Sequence, residues 1–225
     1  MSFFLNTYWP LCSTWDPKSP HPYPPFCDGS IRREPDLQSA YPTISALCRA
    51  SRFAPRLGVG DKIIYMTCKG RYLEDAEEGW RIVAALEVLE RLPSHSDAAQ
   101  WFEGRELPLP GNCMVSRNVR VPVQHTHLRS RGCSRVQKDD REYWRRSQDY
   151  PMFLVCRAMR MDLVQPPQIL RPQLVSVFGK IPGTESGRRI NEEQFEALLA
   201  RMPAHVLKEW PLADGRAAHA RGTRS

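Results

Sequence analysis

The chain has 225 residues, 41% of them hydrophobic and 25% charged, with a formal net charge of +7. That length supports one sizeable core, whereas no apolar run reaches the roughly 18 residues a membrane-spanning helix needs. The opening "MSFFLNTYWP" lacks the cationic stretch and the apolar length of a signal peptide.

In chain order, a short first strand is expected near Phe3–Asn6. Residues 1–42 carry prolines at 10, 17, 20, 22, 24, 25, 35 and 42, which exclude a regular helix and most ladder pairing. The same segment holds Phe3, Phe4, Tyr8, Trp9, Trp15, Tyr23 and Phe26, too apolar a set for a disordered tail. It reads as ordered, irregular cover laid over a core, with a Pro-rich interaction motif as the alternative. Residues 43–53, "TISALCRASRF", read as a short helix stopped by Pro55. Lys62–Thr67 reads as a strand, apolar and bounded by turn residues. Ahead of it, Gly58 and Gly60 permit tight backbone angles, and Asp61 can accept hydrogen bonds from nearby amides. Gly60–Asp61 is therefore read as structural. "GWRIVAALEVLERL" (79–92) suits either a helix or a long strand, and periodicity does not decide between them. Ser94 or Ser96 then caps a helix through "DAAQWFEG".

Residues 103–151 hold no long periodic segment. "PLPGNCMV" reads as a turn, and 117–150 reads as a long basic loop with at most one helical turn; loops of that length usually carry function. "MFLVCRAMRMDL" (152–163) and "LVSVFGK" (174–180) read as strands. "NEEQFEALLARM" (191–202) reads as a helix: Asn191 and Gln194 have capping-box spacing, Phe195, Leu198, Leu199 and Met202 make one face, and Pro203 ends it. The pattern is α+β, a curved sheet or open β-barrel with a few short helices. It divides into a Pro- and aromatic-rich segment (1–42), a domain (43–205) and a basic, disordered tail (206–225).

The charge is concentrated. Between Arg117 and Arg160 the balance is +7, equal to that of the whole chain, and all but one of the cations are Arg. Such a block favours a polyanion, and Arg matches phosphate and base edges better than Lys does. Nucleic acid, DNA or RNA, is therefore the expected partner, with no membrane association; the oligomeric state stays open. Seven widely spaced cysteines with no CxxC read as free thiols in a reducing, cytoplasmic setting.

The succession "TISALCRASRF", "GVGDKIIYMTCKG", "RIVAALEVLERL" and, much later, "GNCMV" and "LVSVFGKIPG" resembles the PUA-like superfamily, which includes the EVE, ASCH and YTH domains. Within it the chain looks most like the nucleotide modification associated domains: Thr43-Ile44, Cys48-Arg49, Arg52 and Gly60-Asp61-Lys62-Ile63 match their pattern. The match covers residues 40–92 well and 110–180 loosely. It departs at Lys62, where an aromatic is common, and in the length of the Pro-rich opening. The resemblance implies a barrel-like fold that recognises a modified or flipped base, in a DNA-modification, defence or mobile-element system.

A base-binding site needs aromatic walls, polar groups at the base edge and cations for phosphate. Trp9, Trp15 and Tyr65 are the candidate stacking residues, Trp15 first among them, with Trp144 from the basic loop a further one; Trp80 and Trp101 read as core. Arg49, Arg52 and Arg56 precede the Lys62–Thr67 strand and can face a backbone phosphate. Arg141, Arg145 and Arg146 surround Trp144 in "DREYWRRSQ" and suit single-stranded contacts, or else pair with their own Asp139, Asp140 and Glu142. His125, His127 and Cys133, with Cys113, contain zinc-ligand types but not the usual paired spacing, so no metal and no cofactor is expected. No GxSxG, Walker, GxGxxG or deaminase signature occurs. The reading thus favours binding over catalysis. An enzyme using His or Cys on nucleotides, and a protein-interaction module, are the alternatives.

Overall fold

The computed structural model describes residues 1–13, 23–47, 52–118, 133–183 and 187–208. Period-two alternation sorts the first strand, β1 (Phe3–Tyr8): Phe4 and Tyr8 join one apolar cluster, Phe3 and Leu5 another on the opposite face. The partner is β3 (Lys62–Thr67), parallel to β1 in the register Phe3↔Lys62 to Tyr8↔Thr67. Asp61 sets that register. Its Oδ1 accepts from the Ser2 amide at 2.7 Å and its Oδ2 from the Gly58 amide at 2.9 Å, while Lys62 N donates to Ser2 O at 2.9 Å. Gly60 takes φ 83° in this turn, and its amide donates to Val88 O at 2.8 Å; the left-handed angle is why glycine stands there. The Gly-Asp pair is structural, as expected.

The remaining strands are β2 (Thr43–Ser45), β4 (Trp80–Leu92), β5 (Phe153–Asp162), β6 (Gln168–Ile169), β7 (Arg188–Ile190) and β8 (Val206–Leu207). The main order is β2-β5-β4-β3-β1-β7, with β6 beside β4 and β8 beside β5. The sheet is mixed: β1/β3 and β5/β8 run parallel, and the other pairs antiparallel. It curls into a half-barrel, so the chain is α+β with short helices, as the sequence indicated. Three register shifts along β4 supply the curl, one against β3 and two against β5; a bulge bends a strand and increases its twist.

β4 resolves the ambiguity of residues 79–92 in favour of a strand. Its middle is apolar on every residue because both sheet faces are covered. On one face Ala84, Leu86 and Val88 meet Phe26, Leu37, Phe53 and Tyr65. On the other, Trp80, Ile82 and Ala85 meet the buried sides of α3 (Arg171–Phe178) and α4 (Glu192–Leu199). A third cluster packs α1 (His95–Glu103) onto Phe153 and Val155 through Ala98, Ala99 and Phe102. Ser94 caps α1 through its hydroxyl, which accepts from Asp97 N; Asn191 and Gln194 form the expected capping box of α4.

Three expectations are corrected. Thr43–Ser45, read as the start of a helix, is β2 paired to β5; the β-branched Thr43 and Ile44 fit the sheet. Residues 174–178, read as a strand, belong to α3. Pro172 at its first turn and Gly179 at φ 71° just past its end are helix boundary signals, and Leu174 and Phe178 bury one side four residues apart. Residues 133–149, read as part of a basic loop, form α2 (Cys133–Asp149), the longest described helix. Its charged surface hid the helix, since only Tyr143 and Ser147 of its described side chains are buried.

Candidate functional site

The Pro-rich opening supplies more than cover. After β1 the chain returns through residues 23–42, most of which are buried. Buried acids organise this return by collecting backbone amides. Asp28 Oδ1 accepts from Ser30 N at 2.8 Å and Glu34 N at 3.0 Å. Asp36 accepts from Gln38 N and Ser39 N, and across the fold from Gly111 N at 2.6 Å. Glu34 accepts from Ser45 N at 2.8 Å, Ser45 Oγ at 2.6 Å and Asn112 Nδ2 at 2.8 Å. Arg33, between these acids, holds φ 54°, an angle non-glycine residues rarely adopt.

Between this return and the sheet lies a cavity of about 450 Å³, within the range of small-molecule sites. Five aromatic side chains wall it: Tyr8, Trp9, Phe53, Tyr65 and Tyr143. Tyr65 reaches it because the alternation of β3 turns it, with Ile63, away from α3 and α4. Its ring meets those of Tyr8 and Phe53 edge-on, with centroids 6.1 and 6.3 Å away. Tyr8 is fixed by donating its hydroxyl to Phe26 O, and burial raises its pKa well above the usual phenol value. Trp9 stands at the rim, 57% exposed. Tyr143 arrives from α2, which is tied down by Arg32–Asp140 at 2.7 Å and by Arg146 donating to Leu47 O at 2.7 Å.

The polar lining joins the carboxyls of Asp28 and Glu34 and the amide of Asn6 to the hydroxyls of Thr7, Ser30 and Ser45. Asn6 is 4% exposed, lines the cavity, and its Oδ1 has no hydrogen-bond partner. Burial pushes the Glu34 carboxyl up to about 8, against the three donors it receives. It pushes Asp28 up to about 6 in the same way. No Lys, Arg or His is among the lining residues. Burial disfavours the thiolate at Cys12, Cys27, Cys113 and Cys156. Burial raises Cys12 to about 12, Cys27 to about 11 and Cys113 to about 12, the reverse of what a nucleophile needs.

Of the predicted site residues, the structure brings Tyr65 and Trp9 to the cavity. Arg52 is exposed and directly precedes the wall residue Phe53. Arg56 donates to Gly187 O at 3.1 Å and lies over the Phe4 ring. On α2, Trp144 packs beside Ile31, Leu47 and Met114, so its neighbour Tyr143 enters the cavity in its place. Arg141 is exposed. Arg145 is held at 2.9 Å by both Glu142 and Asp149. Arg146 is occupied by Leu47 O. Trp15, Arg49, His125 and His127 lie outside the described residues. Sequence reasoning passed over Asn6, Asp28, Glu34, Phe53 and Tyr143. Asn6 had a legible signal: it is the polar residue in the Phe4–Asn6–Tyr8 row of an otherwise apolar strand face. Tyr143 had none before α2 was known to be a helix.

No protein-family model, curated protein or solved structure matches the chain. Among the described residues, no helix is long and apolar enough to cross a membrane.

Proposed function

We propose that this chain binds nucleic acid and holds one unstacked base in the aromatic cavity. The observation that carries the reading is the division of chemistry around that cavity. Its walls are aromatic and its polar lining uncharged or acidic, which suits a heterocycle and repels phosphate. The exposed cations Arg52 and Arg141 stand on the segments that deliver Phe53 and Tyr143, where a backbone entering beside the base would run. Aromatic stacking with flanking guanidinium groups is the usual arrangement for single-stranded or flipped-base contacts. This role agrees with the resemblance to PUA-like, nucleotide modification associated domains, and a modified base in a modification or defence system is the corresponding ligand. A reducing, cytoplasmic setting accords with the five described cysteines, all free thiols.

A salt titration of binding to single-stranded and bulged DNA and RNA tests the reading. Neutralising a few phosphates predicts a linear fall of log K with log salt, with a slope of about −0.7 to −0.9 for each phosphate contacted. A flat line, or no binding of either nucleic acid, rejects it.

A further inference from the structure

Much of the cationic block between Arg117 and Arg160 is spent within the fold. Arg117 is held by Glu103 at 2.6 Å, Arg145 by Glu142 and Asp149, and Arg157 by Glu87. Arg146 donates to Leu47 O, and Arg160 to Leu199 O and Met202 O. A second set of cations gathers at the β7 end of the sheet. Arg189 lies directly opposite Phe4 of β1, and opposed residues of an antiparallel pair share a face; Phe4 belongs to the cluster on the cavity side. Arg56 lies over the same Phe4 ring at 5.7 Å and donates to Gly187 O at 3.1 Å and Arg52 O at 3.4 Å. Phe4 in turn meets the cavity wall residue Phe53 edge-on, with centroids 6.2 Å apart. Arg52, Arg56 and Arg189 are all exposed, so three guanidinium groups stand around the Phe4–Phe53 pair. Their charge is little cancelled. Arg189 donates to Ser2 Oγ at 2.9 Å, a neutral partner, and among the described residues no carboxylate pairs with Arg52 or Arg189. Asp61, which also binds Ser2, is buried, and its oxygens are taken by the Ser2 and Gly58 amides.

We infer that this β7 edge is a phosphodiester-binding site, in which Arg52, Arg56 and Arg189 hold the nucleic-acid backbone on the Phe53 side of the cavity. This rests on the proposed base-binding role and names where the backbone runs. A guanidinium fork matches the oxygens of a phosphate, and weak hydrogen bonds to a serine hydroxyl or to carbonyls leave its charge available. The cavity lining holds no Lys, Arg or His, so the phosphate attached to a bound base has to find its cations outside, and this cluster adjoins the wall through Phe53. Phosphate contacts fix register and orientation without reading sequence. The β7 edge thus supplies affinity and the cavity supplies selection. The arginines of α2 contribute less than their number suggests, because Arg145 and Arg146 are already engaged.

The test uses the full chain and a short duplex with a single unpaired base, beside a fully paired control, in whichever strand type wild type binds. Fluorescence anisotropy across a salt series gives the slope of log K against log salt, and thermal melting reports folding. Arg52→Ala and Arg189→Ala are each expected to flatten the slope by about 0.7–0.9, and the double variant by about twice that. Arg189→Lys, which keeps the charge, is expected to keep the slope, and Arg145→Ala to change it less than either alanine variant. The losses are expected to be equal on bulged and paired duplexes, since a phosphate contact does not read the base. If Arg189→Ala melts well below wild type, Arg52→Ala decides alone. A slope unchanged in the double variant, or changed most by Arg145→Ala, overturns this inference and leaves the base-binding role standing. A loss confined to the bulged duplex assigns these groups to the base and overturns it too. Equal wild-type binding of bulged and paired duplexes overturns the base-binding role itself, while the slopes still decide whether phosphate sits at the β7 edge.

Discussion

Replacing Trp9 by alanine separates binding from stability. The ring is 57% exposed yet lines the cavity, so the fold gains little from it. The backbone at this position does more: Trp9 O accepts from Gly29 N at 2.9 Å, and alanine keeps that bond. A surface substitution of this kind changes stability by about 0.5 kcal/mol or less, a shift of roughly 1–2 °C in Tm for a chain of this size. A base stacked on the ring loses about 1–3 kcal/mol, which is roughly 5- to 150-fold in Kd. Anisotropy titration of a bulged oligonucleotide, run beside a melting curve, measures both. Trp9→Phe is expected to recover most of the affinity. Unchanged affinity with an unchanged Tm would show that Trp9 touches no ligand. A loss of affinity matched by a large fall in Tm would refute the claim that the ring is dispensable to the fold.

Other substitutions probe the remaining parts. A Cβ at Gly187, which sits at φ 70°, would lie 2.1 Å from Phe53 Cδ2, so Gly187→Ala is expected to lower Tm and, by displacing a wall ring, to weaken base binding; full affinity in this variant would separate Phe53 from the site. Asp61→Ala strands the amides of Ser2 and Gly58 and is expected to cost about 3–6 kcal/mol in denaturant melts, at roughly 1.5–3 kcal/mol for each hydrogen bond to a charged acceptor; a loss below about 0.5 kcal/mol would remove Asp61 from the β1–β3 register. Arg141→Ala is expected to reduce the salt slope by nearly one phosphate, with Arg145→Ala doing less because Glu142 and Asp149 already neutralise it; the reverse order would place the backbone on the other side of α2. For Glu34, raised to about 8 in the folded chain, the folded state holds a proton that the unfolded chain releases near the ordinary carboxyl value. Its contribution is complete at low pH and is lost as pH rises through about 8, at up to roughly 1.4 kcal/mol per pH unit. The Tm of wild type should therefore fall relative to Glu34→Gln between pH 5 and pH 8; a constant difference would mean the carboxyl is ionised throughout.

What could be read in the sequence follows from where local and tertiary forces agree. β3 was legible to the residue because apolar, β-favouring residues lie between two turns. The caps of α1 and α4 were legible because Ser94, Asn191 and Gln194 act locally. α3 misled because Val175 and Val177 favour strands, while the packing of Leu174 and Phe178 on the sheet overrode propensity. α2 misled because its buried contribution is narrow, and its partners, Arg32, Leu47 and the cavity, are all distant in sequence. The cavity itself joins β1, residues 28–35, β2, β3 and α2. Its acids, Asp28 and Glu34, look in sequence like solvated loop residues; only the return of the Pro-rich segment under Asn112 and Ser45 buries them. Tyr65 was within reach because a single strand's alternation aims it.

The most direct measurement is a crystal structure of the protein with a short oligonucleotide carrying one unpaired base. The account predicts that base inside the cavity, its ring against Trp9 and Tyr65, with the adjoining phosphates towards Arg52 and Arg141. Nucleic acid bound along the outer surface of α2, with every base outside the cavity, would contradict it.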